Sequence, residues 1–375
     1  MPKAGATNPF RFGALALDEA FTDREEEIAE LAADMRNGQD VVVFAPRRYG
    51  KSSLVWRVAQ QVVTQRVLVA QVDLMRAPTK ERLAEKLASA IHDDLATPLM
   101  RARDRLRVFS DLRVAPIVTV DPQDASLSFS FDTYAARHGM DATLEDLLAL
   151  PGRLAAERKR RVVLVLDEFQ EVMDIDPVLI KLMRSVFQEQ GDVAHVYLGS
   201  KRHMIERIFN DENEPFWRAA KQMELGPIAP KPFEAFAIER FAATGKRLRP
   251  ATARAALDIT SGHPYATQEL LYFLWEERTL ERALEAVLRS EHAHFSLLWE
   301  RASAAQRLVL EALAADQPGH PLSSEYQRRH GLPSVATVQT ALRALSRDGV
   351  VERRGRGSYA IAEPFLSEWI SLQTA

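Results

Sequence analysis

The chain has 375 residues, room for two or three domains, and its 46 % hydrophobic and 27 % charged composition suits a globular protein with sizeable cores. Its net charge of −3 provides no global basic field for nucleic acid, so any such contact must come from a local patch. The lack of cysteine excludes disulfides, thiol catalysis and cysteine-ligated zinc. With no secretory h-region in the opening residues and no apolar run approaching the roughly 18 residues of a membrane span, the expectation is a cytoplasmic protein with no membrane partner.

In chain order, "FTDREEEIAELAADM" predicts a helix: Thr22 and Glu25 fit a capping box, and Ile28, Leu31 and Met35 share one face. "DVVVFA" (40–45) reads as a buried strand and "KSSLVWRVAQQVV" as the helix after it. A second strand (66–74) and a helix around 79–95 follow. Within 107–133, two alternating runs separated by Asp121-Pro122-Gln123-Asp124 predict a β-hairpin or two short strands. Next come a helix at about 143–158, the apolar strand of "RRVVLVLDE", a helix at 177–190, a strand at 193–200, a helical stretch from 202 and a short strand at 221–228. Strands alternating with helices imply an α/β doubly wound, parallel sheet. No repeat or low-complexity tract interrupts it.

From Pro232 the strand signal vanishes, and residues up to about 302 read as helical. The remainder runs helix, short helix, helix, then two β-leaning runs flanking Arg354-Gly355-Arg356-Gly357, the outline of a winged helix. The expected divisions are therefore 1–230, 231–302 and 303–375.

The chemistry concentrates in "FAPRRYGKSSLV". Residues Ala45, Pro46, Arg47, Arg48, Tyr49, Gly50, Lys51, Ser52 and Ser53 fit a phosphate-binding loop, with alanine where the first glycine is customary. The loop lies directly after a strand and before a helix, so backbone N–H groups and the helix dipole face an anion. Lys51 would reach the β/γ-phosphates and Ser52 would offer its hydroxyl to Mg²⁺. Gly50 is needed where a Cβ would obstruct the phosphate or where φ must be positive. Asp167 and Glu168, at the end of a buried strand, complete the pattern: one holds Mg²⁺ through water, the other accepts a proton from the attacking water. Ser200, ending the next strand, could bond the γ-phosphate or that water, or simply cap a helix. Asp73 ends another strand, where capping accounts for it equally well.

In the last segment, "SVATVQTALRALSRDG" should bury Val335, Val338, Leu342 and Leu345, leaving Thr337, Gln339, Thr340, Arg343 and Arg347 outside as base-edge and phosphate contacts. Arg353, Arg354 and Arg356 would decorate the wing and enter a minor groove. Residues 301–375 carry nine arginines and no lysine against seven acids, a net +2, so double-stranded DNA and a protein remain alternative partners. Phe273, Trp275, Phe295 and Trp299 fall at helical spacing and read as core.

Taken together, "NPFRFG", "FTDREEEI", "FAPRRYGKSSLV", "VVLVLDEFQEV", "YLGS" and "SGHPYATQELL" resemble the archaeal-type ATPases, STAND-like members of the AAA+ superfamily found in archaea and bacteria. The similarity runs from about residue 8 to the C-terminus. It implies a P-loop NTPase sheet in the order 5-1-4-3-2, an α-helical lid and a C-terminal winged helix. It further implies ATP or ADP gripped between Phe21–Glu25, the loop 45–53 and the lid, with Mg²⁺ bound. Residue by residue, Lys51 and Ser52 bind phosphate and Mg²⁺, Asp167 binds Mg²⁺ through water, Glu168 is the catalytic base and Ser200 the sensor. Gly262-His263-Pro264 matches the lid motif, with His263 near the β-phosphate or serving as a helix-start residue. Arg218 falls where an arginine could approach a neighbouring subunit's γ-phosphate in a homo-oligomer, or it is a surface arginine. Three functions fit the residues: an ATP-hydrolysing switch, a nucleotide-dependent DNA-binding regulator with little turnover, and a P-loop kinase. The Asp167-Glu168 pair, the long lid and the winged tail favour the first.

Overall fold

The computed structural model describes residues 7–14, 21–63, 67–95, 109, 112–113, 116–121, 127–131 and 133–374. Two expectations fall outside them: the absence of a leader in residues 1–6 and 15–20, and the hairpin turn at 122–124. The chain divides into a sheet unit, Arg24–Arg47 with Lys51–Leu225, and a helical unit, Met1–Asp23, Arg48–Gly50 and Gly226–Ala375.

Nine strands are described: β1 (Val41–Phe44), β2 (Leu68–Asp73), β3 (Ile117–Val120), β4 (Leu127–Ser130), β5 (Val162–Asp167), β6 (Val193–Gly199), β7 (Lys221–Glu224), β8 (Val351–Gly355) and β9 (Ser358–Ile361). Five form one sheet in the order β2-β5-β6-β1-β7, with every pairing parallel. Counting only these five in chain order gives 5-1-4-3-2, as the resemblance implied.

Burial explains who sits where. The whole of β1 and β6 and the first five residues of β5 are buried, because helices cover both faces of a central parallel strand. Strands β2 and β7 alternate or face solvent, as edge strands can. β7 stops at Glu224, short of the expected 228, because Gly226 and Pro227 cannot extend the ladder. Register places Asp73 opposite Asp167 and Phe44 opposite Gly199, so Ala45, Glu168 and Ser200 all emerge at one carboxyl edge.

The helices depart from the sequence reading in three places. The first spans Glu25–Asn37, but the capping box does not form. Asp23 and Arg24 both take left-handed φ (60° and 78°), which makes Arg24 the cap and leaves Thr22 two residues too early. The Arg24 guanidinium pairs with Glu27 at 2.8 Å instead. The helix expected from 143 starts at Thr133 and runs to Arg158, since one glycine costs a helix only ~1 kcal/mol. The helix expected over 177–190 is shorter, Leu179–Phe187, with the Asp176 carboxylate accepting from Val178 N at 2.8 Å just before it, and an unexpected short helix, Val172–Ile175, precedes Asp176-Pro177. Strands β3 and β4 pair antiparallel as a separate hairpin ladder, with Phe129 packed on Phe109 and His92.

In the helical unit, helices Pro230–Ala243, Pro250–Thr260 and Pro264–Glu277 each open on proline, which has no N–H to leave unsatisfied. Leu280–Arg301 follows, capped by Thr279. Helices Ala304–Ala315, Ser324–His330 and Val335–Arg347, the β8–β9 wing and Pro364–Thr374 complete a winged helix. Val335 is 48 % exposed rather than buried: as the first helical residue it precedes the turn that meets the core, which Val338, Ala341, Leu342 and Leu345 enter. One apolar cluster joins Phe10, Phe236, Phe241, Trp275, Phe295, Leu342 and Trp369, with Phe273 and Trp299 packed against it. Helical and winged segments thus share a core. Among the described residues no helix is long and apolar enough to cross a membrane.

Phe10 ties the N-terminal segment into that cluster through ring contacts to Phe236 (6.2 Å) and Phe241 (5.4 Å). Phe10→Ala should lower stability by about 3–5 kcal/mol, measured as a shift in the chemical denaturation midpoint; a change below ~1 kcal/mol would show the segment to be dispensable.

Candidate nucleotide site

The loop after β1 answers the question posed by its alanine. Gly50 has φ +85°, a backbone conformation that favours glycine, and no protein atom lies within 4 Å of an added Cβ. Arg48 also takes a positive φ (68°), whereas Ala45 is not among the positive-φ residues. A side chain is therefore tolerated at position 45.

Helix Lys51–Val63 starts immediately after Gly50 and buries its first residue. The Lys51 ammonium donates to the carbonyls of Ala45 (3.0 Å) and Pro46 (3.2 Å). Burial lowers its pKa, while the Glu168 and Asp167 charges act the other way. Ser52 Oγ donates to Asp167 Oδ2 at 3.1 Å, across 115 residues of sequence. Burial, reinforced by the Glu168 charge, raises the Asp167 pKa, so a cation beside it would relieve a real cost. Glu168 sits in left-handed backbone (φ 52°) at the head of a 3₁₀ turn, its N–H donating to Asp167 Oδ1 at 3.0 Å. Ser200 Oγ donates to Glu168 Oε2 at 2.6 Å. Lys51, Ser52, Asp167, Glu168 and Ser200 thus form one polar group at the carboxyl edge of β1, β5 and β6. Ser53, beside them, is buried.

Sequence reasoning missed Gln170. It is fully buried and donates to Glu168 Oε2 and, at 3.3 Å, to Glu171 Oε1, which also accepts from Lys201 at 2.9 Å. A polar residue in "DEFQEV" reads as solvent-facing, and only a count of register from Glu168 could have flagged it. Asp73 accepts from Met75 N at 3.0 Å and pairs with Arg76, the capping geometry.

The other expected residues have different partners. Arg218 is exposed, its guanidinium 5.1 Å over the Trp217 ring, and it makes no ion pair among the described residues. In the helical unit, Ser261 and Gly262 end one helix in left-handed backbone, His263 Nδ1 caps the next by accepting from Ala266 N at 3.2 Å, and Pro264 begins it. A Cβ at Gly262 would meet Ile228 O at 2.4 Å, so this motif also secures a close backbone crossing. Arg48 and Tyr49, which belong to this unit, contact its residues. The Tyr49 ring lies 4.6 Å from His263, and Arg48 lies 4.2 Å over Tyr265 and 3.7 Å from Glu363. Burial pushes the Tyr49 hydroxyl up to about 12, with Glu352 adding to the effect, while Arg354 hydrogen-bonds it.

On the winged helix, Thr337, Gln339, Thr340, Arg343, Arg347, Arg353 and Arg356 are exposed as expected. Arg347 pairs with Asp348, Arg353 donates to its own turn at Gly355, and Arg354 pairs with Glu352. Arg343 and Arg356 make no ion pair among the described residues.

The parallel sheet, its loop and the winged helix define a P-loop ATPase fold. Residues 21–267 match the family described as an ATPase domain predominantly from Archaea, and the chain belongs to that family. Residues 293–372 match a probable winged helix domain. Among solved structures the fold is similar to a Walker-type ATPase of Pyrococcus abyssi (TM-score 0.66, 17 % identity, 95 % of this chain and 97 % of that one). It is also similar to the ORC2 protein of Aeropyrum pernix in its ADPNP–ADP complexes (TM-score 0.55, 15 % identity, 97 % and 98 % covered). No curated protein matches.

The buried titratable groups of the helical unit oppose one another in pH. Burial pushes Glu269 up to about 8, with repulsion from Glu291 and Glu363 added, and neither of its oxygens has a hydrogen-bond partner among the described residues. Burial depresses His263 to about 4. Between the ordinary carboxyl value near 4.5 and about 8, the folded chain keeps a Glu269 proton that the unfolded chain releases, so stability falls as pH rises. Between about 4 and 6.5 the unfolded chain binds the His263 proton, so stability falls as pH drops. Stability from thermal melts should therefore fall by about 1 kcal/mol from pH 7 to 8, above the value of about 7 to which burial raises Glu363, and Glu269→Gln should flatten that limb; an unchanged slope would remove Glu269 as its source.

Proposed function

We propose that the chain binds Mg-ATP and hydrolyses it as a STAND-like switch whose nucleotide state is passed to its winged helix. The observation carrying this reading is the convergence of Lys51, Ser52, Asp167, Glu168 and Ser200 (Ser52–Asp167 3.1 Å, Ser200–Glu168 2.6 Å) directly beyond a phosphate loop. The ADPNP–ADP complexes of the similar A. pernix protein support nucleotide as the ligand.

The loop N–H groups of 47–52 and the Lys51 ammonium would hold the phosphates. Mg²⁺ fits the donors present: Ser52 and Asp167 are hard oxygens side by side, and a magnesium ion usually takes one or two protein oxygens with water and phosphate supplying the rest. In keeping with that, no group of three or more His, Cys, Asp or Glu among the described residues could hold a metal by itself. When bound, Mg²⁺ neutralises charge developing on the phosphates. Glu168 accepts the proton of the attacking water, and Ser200 orients that carboxylate. His263 Nδ1 is committed to its cap, which leaves Nε2 as the ring's hydrogen-bonding atom for a phosphate. Arg218, exposed on Trp217, is assigned to a neighbouring copy in a homo-oligomer.

Residues 1–230 carry the chemistry, 231–302 act as the lid and 303–375 as the output. Gln339, Arg343 and Arg356, exposed and without acid partners among the described residues, are the base-edge and phosphate contacts that support double-stranded DNA over a protein as the partner.

Phosphate release from Mg-ATP, with and without duplex DNA, tests the proposal. Lys51→Ala should abolish ATP binding; Glu168→Gln should keep binding and lower kcat by ~10²-fold or more; duplex should raise the rate. Tight ATP binding that Lys51→Ala removes, with no phosphate release under any condition, would overturn hydrolysis in favour of a nucleotide-held DNA-binding regulator. Phosphate transferred to anything but water would make the chain a kinase.

A further inference from the structure

We propose that Gln170 is the positioning residue for Glu168, fixing which carboxylate oxygen receives the proton; this rests on the hydrolytic reading above. Gln170 lies two residues beyond Glu168 in the 3₁₀ turn Phe169–Glu171 and is completely buried. Its amide nitrogen donates to Glu168 Oε2 and to Glu171 Oε1, while Lys201 anchors Glu171 from the start of the next helix. Flipping the amide would press its carbonyl against two carboxylates, so these contacts dictate its orientation.

That orientation has a cost the fold accepts. Gln170 Oε1 is buried with no hydrogen-bond partner among the described residues. The space it occupies is kept by a glycine: a Cβ on Gly199 would meet Gln170 Oε1 at 3.0 Å and Ile205 at 2.3 Å. An apolar side chain of similar volume would fill the same space with no unpaired carbonyl. What glutamine adds is its pair of N–H donors, and they are aimed at Glu168 and its neighbour.

The consequence is chemical. Ser200 and Gln170 both donate to Oε2 of Glu168, and no described residue donates to Oε1. Oε1 is then the oxygen with lone pairs open to a water proton. In the step, the water oxygen bonds to the γ-phosphorus and its proton passes to Oε1. The bond from that phosphorus to the bridging oxygen breaks, leaving its electron pair on ADP. Without Gln170 the carboxylate rotates about its last bond, held by Ser200 alone, and is misdirected for much of the time.

Gln170→Leu in the full chain separates this role from packing. Its melting temperature should equal or exceed that of the wild type, because a buried unpaired carbonyl is removed. KM and ATP affinity should stay within about twofold while kcat falls ~10- to 100-fold, the scale of a misplaced reacting group. Gln170→Met, equally long and without donors, should behave the same way and serves if leucine disturbs folding. With Ser200→Ala added, the two losses should combine to less than their product, since both act on one oxygen. A well-folded Gln170→Leu with kcat within twofold of wild type, while Glu168→Gln abolishes release, would overturn the positioning role alone. Wild-type protein that binds ATP and releases no phosphate would overturn the hydrolytic reading, and this proposal with it.

Discussion

Charge held out of water at the edge of an apolar sheet is the constraint from which the rest follows. Central strands β1 and β5 are apolar up to Phe44 and Leu166, and β6 is so apart from His195 and Tyr197, while polar side chains gather at and just beyond their ends, at Lys51–Ser52, Asp167–Glu168 and Ser200. Parallel register brings those three ends together, so a buried ammonium, two carboxylates and two hydroxyls must solvate one another. Lys51 leans on two backbone carbonyls, Asp167 on Ser52, and Glu168 on Ser200 and Gln170. Such a group is expensive without a ligand of opposite character. Its Lys51 and Asp167 pKa values move in the directions burial imposes, each disfavouring its charged form. A phosphate chain with its cation would supply both missing charges at once.

The helical unit solves a different problem. Its apolar cluster is continuous from Phe10 to Trp369, so the winged helix is not an appended module but part of the same packed body. Within it, proline-initiated helices are joined by left-handed turns, and Gly262-His263-Pro264 is one such joint. The loop residues Arg48 and Tyr49 are held by Tyr265, His263 and Glu363, the last itself pushed up to about 7 by burial. Acid partners also absorb part of the winged helix's positive charge, at Arg347 and Arg354, while Arg343, Arg353 and Arg356 make no ion pair among the described residues.

By itself, the sequence determined the alternating strands and helices, the strand-loop-helix setting of Lys51 and Ser52, the Asp167-Glu168 pair and the winged-helix outline. Each of these is a local pattern of polarity, turn residue and spacing, legible within a dozen residues. Tertiary structure decided what depends on residues far apart or on backbone angles. It set a left-handed Arg24 in place of the Thr22 cap, left Val335 outside the core, and cut the helix expected over 177–190 down to Leu179–Phe187. It also buried Gln170 and Glu269, two polar residues that sequence reasoning did not single out. Burial of a polar side chain is a property of everything packed around it, and that surrounding is assembled from segments tens to hundreds of residues away. For the same reason Ser52 and Asp167, 115 residues apart, could be matched by pattern, but their 3.1 Å hydrogen bond exists only because β1, β6 and β5 lie in that order.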